Sequence, residues 1–185
     1  MSSPAYIVEG FTEKLFLAEI CSGHPIKRLE INGKNVSLEA IIDRIESLAV
    51  LLKGRHSPIV VLFDREERDA SSSAIAAEIE RELRRRRPQE DFVIGVADRM
   101  IENWIVADWE ALRNLDGSLS PTAPLCEGSN GKAVLRKALG KQGYSTTVNG
   151  PALLKAARPS VIKDRSASFA SFVSRLRIDC WWLRR

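Results

Sequence analysis

Histidine is nearly missing from this chain of 185 residues. The two present, His24 and His56, are far apart and sit beside turn signals, so zinc sites and triads built on imidazole are not expected. Cysteine is scarce as well. Cys21, Cys126 and Cys180 are odd in number, scattered and without Cys-x-x-Cys spacing. They argue for a reducing cytoplasm and against both a disulfide framework and a zinc ribbon. No apolar run reaches the length that spans a bilayer, and the N-terminus lacks the basic-then-apolar layout of a signal peptide, so no membrane partner is expected. A glycine-rich phosphate loop does not follow the first apolar run. Gly128-Ser129-Asn130-Gly131-Lys132 lacks the leading glycine at P-loop spacing and the following Ser or Thr, so it is not a Walker A motif. There is no internal repeat.

What is present is the composition of an ordinary soluble domain, 44% apolar and 28% charged, enough for one buried core and too short for two full domains. The net charge of +4 suits nucleic acid or another polyanion without establishing one. Its distribution says more. Arg81, Arg84, Arg85, Arg86 and Arg87 cluster at the end of one helical pattern, and Lys132, Arg136, Lys137 and Lys141 form a second basic group. The first cluster reads either as a helix C-terminus whose cations complement the macrodipole or as a phosphate-binding patch. Arg84, Arg85, Lys132 and Arg136 are the candidate nucleic-acid contacts.

Short β-branched runs alternate with helical stripes along the first half of the chain. Strands are expected over residues 5–9, 26–31 (closed by an Asn32-Gly33 turn), 58–64 and 92–96. Helices are expected over residues 12–22, from the Ser37 cap to Gly54, over 71–87 with Pro88 as stop, and over 102–112. This rhythm with short connections indicates a three-layer α/β sandwich around a mainly parallel sheet. Residues 114–130, rich in Gly, Ser, Pro and Asn, read as a loop. Beyond it, basic helices are expected over about 131–142, 150–157 and 166–178. The organisation is therefore an α/β core of residues 1–113, the loop, and a helical C-terminal part, 131–185, packing on the core.

Two of the strands end in acid. Tyr6-Ile7-Val8 runs into Glu9-Gly10, and Ile59-Val60-Val61-Leu62-Phe63 runs into Asp64-Arg65-Glu66. In an open parallel sheet the carboxyl ends share one edge, so Glu9, Asp64 and Glu66 are expected within about 8 Å of one another if the strands are neighbours. In an extended segment, residues two apart point the same way, which lets Asp64 and Glu66 serve one cation together. Clustered carboxylates repel unless a cation neutralises them, and all-oxygen ligands select Mg²⁺ or Mn²⁺. Gly10 permits a sharp turn while Glu9 stays at the edge, and Thr12 starts a helix beside it. Glu102 follows a strand and loop at the same edge. It is either a fourth metal-holding carboxylate or a helix-start acid favoured by the macrodipole.

Glu9-Gly10 with Thr12-Glu13, followed later by Asp64-x-Glu66, resembles the TOPRIM domain of topoisomerases, primases and overcoming-lysogenization-defect nucleases. The resemblance implies a compact Rossmann-like sandwich, with metal held by Asp64 and Glu66 and with Glu9 as acid/base or further ligand; Glu66 stands where Asp is usual. More loosely, Glu102-Asn103-Trp104 with Ala107-Asp108, and Ser168-Phe169 to Phe172, make the whole chain similar to small stand-alone bacterial TOPRIM-type proteins. Such proteins are often encoded beside an ATPase, which implies phage defence or DNA maintenance. Tyr6 lies within a strand and Tyr144 on a loop, with no cleavage domain around either, and no template-handling region is present. Topoisomerase and primase activities drop out, and metal-dependent hydrolysis of DNA or RNA is left. A non-catalytic module regulating a partner ATPase is the alternative, and a flavodoxin-like nucleotide binder is weaker for want of a phosphate loop.

Overall fold

A computed structural model describes residues 3–31, 36–52, 54–140 and 143–185. Its first half alternates β1 (Ser3–Val8), α1 (Phe11–Ile20), β2 (Ile26–Arg28), α2 (Leu38–Leu52), β3 (His56–Asp64), α3 (Ser72–Arg86) and β4 (Phe92–Ala97). The second half is helical: α4 (Glu102–Ala107), α5 (Trp109–Leu115), α6 (Gly131–Ala138), α7 (Gly150–Ala156), α8 (Pro159–Arg165) and α9 (Ala167–Val173), then a 3₁₀ turn at Trp182–Arg184. The strands pair in the order β2-β1-β3-β4, and every pairing is parallel.

Alternation along the strands divides the core into two. Ala5, Ile7, Ile59, Val61 and Phe63 meet α2 and α3 through residues such as Ile45, Ile75 and Ile79. Tyr6, Val8, Val60, Leu62 and Val93 meet α1, α4 and α9 through Phe16, Trp104, Phe169 and Phe172. Both faces are covered, as an all-parallel sheet requires. The result is a Rossmann-like three-layer α/β fold. Local caps agree with it: Ser71 Oγ accepts from Ala74 N at 3.2 Å at the start of α3, and Asn130 Oδ1 from Ala133 N at 3.0 Å at the start of α6.

The helices beyond residue 130 complete the second outer layer. On that face α9 packs on β4 so closely that a Cβ at Gly95 would come within 2.6 Å of the Phe172 ring. Trp104 stacks on Phe172 and meets Phe169 edge-on, with ring centroids 5.9 and 4.9 Å apart. The expected 102–112 helix is interrupted at Asp108. Its carboxylate caps α5, accepting from Ala111 N at 3.2 Å, and receives Arg158 Nη2 at 2.7 Å, and this takes the backbone out of helical geometry (φ −95°, ψ 66°). α8 was not expected at all; at 7 residues it is too short to show a period. The Asn32-Gly33 turn and Lys141 lie outside the described residues. Among the described residues no helix is long and apolar enough to cross a membrane.

Candidate active site

The chain leaves β1 towards β2 on one side, while β3 and β4 lie on the other, so the strand order reverses between β1 and β3. Ligand crevices in open α/β sheets form at the carboxyl ends of such a pair. Val8 and Leu62 are in register there, and Glu9 N donates to Leu62 O at 3.1 Å. Two residues beyond Leu62, Asp64 N donates to Glu9 Oε2 at 2.8 Å, which ties the two acids together. Asp64 Oδ1 accepts from Ile101 N at 2.8 Å, at the start of α4.

Two more carboxylates close on this pair. Glu13, in the first turn of α1, folds back over Gly10, where a Cβ would lie 2.7 Å from Glu13 Oε2. Its residue is 3% exposed, and Glu102 is fully buried. Tyr144 donates its hydroxyl to Glu102 Oε1 at 3.0 Å, and Lys132 Nζ approaches the same oxygen at 3.8 Å. Glu102 Oε2 is buried without a hydrogen-bond partner. The start of α6 reaches the start of α4 because residue 131 is glycine: a Cβ there would sit 2.8 Å from Asn103 N. Thr12 Oγ1, donating to Thr146 O at 2.7 Å, pins the loop that carries Tyr144.

The electrostatics follow from this crowding. Burial holds Asp64 well above the usual carboxylate range, reinforced by the charges of Glu13, Glu9 and Glu102 and opposed by Lys132. Burial likewise lifts Glu13 to about 7, with Glu9 and Glu102 adding to the effect. Glu9 is raised by burial and by Glu66, against its hydrogen bond from Asp64 N and the charges of Arg68 and Lys132. Burial and then the Glu102 charge push the Tyr144 phenol up, which keeps it a donor.

Glu66 is placed differently from expectation. It has left-handed backbone (φ 57°) and donates its N–H to Arg99 O at 2.8 Å, so the segment is a turn and the alternation rule does not apply. Its carboxylate lies 3.8 Å from Arg68 Nη1 and acts on Glu9, whereas the acids that act most on Asp64 are Glu13, Glu9 and Glu102. Asp64 and Glu66 still border one cleft of about 290 Å³, together with Glu67, Arg99, Lys132 and Arg136. Acids and cations therefore face one solvent-open space. Among the described residues no group of three His, Cys, Asp or Glu side chains is already arranged to hold a metal ion.

The other basic candidates do not join this cleft. Arg84 and Arg85 end α3, which runs back from the carboxyl edge to the start of β4, and so they lie at the opposite edge of the sheet. They pair with Glu80 and Glu82 at 3.0 Å each. A larger cavity of about 360 Å³ lies between α3 and α9, and both arginines that line it are already paired, Arg65 with Asp98 at 2.7 Å and Arg175 with Glu80 at 3.0 Å. Sequence reasoning passed over Glu13 and Tyr144 as members of the site. Glu13 had a usable signal, an acid in the first turn of a mostly apolar helix four residues after Glu9. Tyr144 had none, because a long-range fold-back of the 143–149 loop brings it in.

No curated protein and no solved structure matches this chain. A family model described as "Domain of unknown function (DUF4276)" matches residues 8–177. That match spans most of the chain, and the protein belongs to this family.

Proposed function

We propose that the protein is a TOPRIM-type phosphodiesterase that hydrolyses DNA or RNA with Mg²⁺ or Mn²⁺. One observation carries the reading: Glu9, Glu13, Asp64 and Glu102 meet at the switch point of a parallel sheet, with Lys132 as the cation acting on Glu9, Glu13 and Asp64 alike. Unneutralised, such a cluster opposes folding, so a structure that keeps it has a use for the negative charge. The residues fit a hard cation. The donors are carboxylate oxygens, and Oε2 of Glu102 and of Glu66 are buried without hydrogen-bond partners.

Glu9, Asp64 and Glu66 would hold the ion, with Glu102 as a further ligand. When bound, Mg²⁺ or Mn²⁺ polarises a phosphate and lowers the pKa of an attacking water. The chain's own residues do the rest. The hydrogen bond from Asp64 N fixes the Glu9 carboxylate at the sheet edge, and Tyr144 fixes that of Glu102. Lys132, Arg136 and Arg99 line the same cleft as Asp64 and Glu66 and bind phosphate oxygens. A cytoplasmic role beside a partner ATPase, in phage defence or DNA maintenance, is supported by the resemblance to stand-alone TOPRIM-type proteins.

The test is a cleavage assay across DNA and RNA substrates, single- and double-stranded, with each metal and with the product of any adjacent ATPase gene. Asp64→Asn should lower cleavage by roughly 10²–10³-fold or more while leaving binding largely intact. Lys132→Ala or Arg136→Ala should instead weaken binding and reduce its salt slope by about one. If wild type and Asp64→Asn behave alike in every condition, a non-catalytic module regulating an ATPase becomes the better account.

A further inference from the structure

Phe11 begins α1 two residues after Glu9, and the residue is 48% exposed, unusual for a side chain that normally joins the core. Arg28, last in β2, pairs with Val8 in the sheet register and so stands on the same carboxyl edge. Its guanidinium carbon lies 3.8 Å from the Phe11 ring centroid. Arg28 Nε is buried without a hydrogen-bond partner, and among the described residues no carboxylate pairs with the guanidinium. The ring, and not an acid, holds this cation at the carboxyl edge of the sheet.

We propose that Phe11 and Arg28 form a base-stacking platform for single-stranded nucleic acid, seating the nucleotide next to the phosphate to be cleaved. The proposal rests on the nucleic-acid reading of the acidic site and narrows it to unpaired substrate. An exposed ring supported by a cation offers a surface to the π-face of any base, without sequence preference. The guanidinium adds attraction for the adjoining phosphate. Bases inside a duplex are stacked on their neighbours and do not reach such a surface, so the platform discriminates strandedness.

Fluorescence anisotropy with short labelled DNA and RNA strands, in EDTA so that nothing is cleaved, tests this. Phe11→Ala should weaken single-strand binding about 5- to 150-fold, the loss of one base stack, with the salt slope unchanged. Phe11→Trp should bind at least as well as wild type, and duplex binding should be nearly the same for all three proteins. If Phe11→Ala binds single strands like wild type, or loses duplex and single-strand binding equally, the platform is wrong. The acidic site's reading would survive that result provided Asp64→Asn still abolishes cleavage. If wild type neither binds nor cleaves any nucleic acid, both proposals fall together.

Discussion

Glu13 lies over Gly10 with its carboxyl lifted to about 7 by burial and by the neighbouring Glu9 and Glu102, whereas in the unfolded chain it returns to its ordinary 4.5. The folded state thus binds this proton more tightly. The stabilisation is complete below about pH 4.5 and is lost as pH rises through about 7. The loss at alkaline pH is about 3 kcal/mol for Glu13, with raised Glu9 and Asp64 acting in the same direction. Glu13→Gln should therefore be more stable than wild type at pH 8 in EDTA, by about 6–12 °C in melting temperature, with the advantage shrinking towards pH 5. Calorimetric scans across that range check it; a difference that ignores pH would refute the assignment. Glu9 and Asp64 were legible in sequence because each directly follows an apolar run, which fixes both strand and edge. Glu13 carried a local signal, as the acid in the first turn of α1, whereas Tyr144 was not legible because a long-range fold-back of its loop brings it to Glu102. The turn that carries Glu66 was not legible, because a left-handed conformation leaves no mark in a non-glycine residue.

At the scale of elements, the four strands and the helices up to Arg86 follow from periodicity, because each buries a stripe against one sheet face. The later helices are short, and long-range contacts decide their ends. Asp108 splits α4 from α5 in order to meet Arg158, 50 residues on, a partner no local pattern announces. The same holds where α9 lies on β4, since Gly95 reads locally as a weak point in a strand and structurally as the space for Phe172. Gly95→Ala should cost about 1–3 kcal/mol by overpacking, read from denaturant midpoints. Adding Phe172→Leu should recover part of that loss. Equal additive penalties from the two substitutions would mean that the ring and the strand are not in contact.

Across the whole molecule, the strand order β2-β1-β3-β4 explains why acids far apart in sequence become neighbours, and why the arginines ending α3 do not join them. The carboxyl edge carries the acids, Lys132, Arg136 and the Phe11–Arg28 pair. The opposite edge carries Arg84, Arg85 and an Arg86 held by Asp43 at 2.7 Å and Glu46 at 3.3 Å. Binding of the proposed Mg²⁺ or Mn²⁺ at the acidic edge would displace protons from the raised carboxyls, so affinity should increase from pH 6 to pH 8. Titration calorimetry of Mn²⁺ into wild type and Asp64→Asn at both pH values addresses this directly. Wild type should bind with proton release and more tightly at pH 8, and Asp64→Asn should bind at least about tenfold more weakly. Equal Mn²⁺ affinity for the two proteins would contradict the metal site on which the account depends.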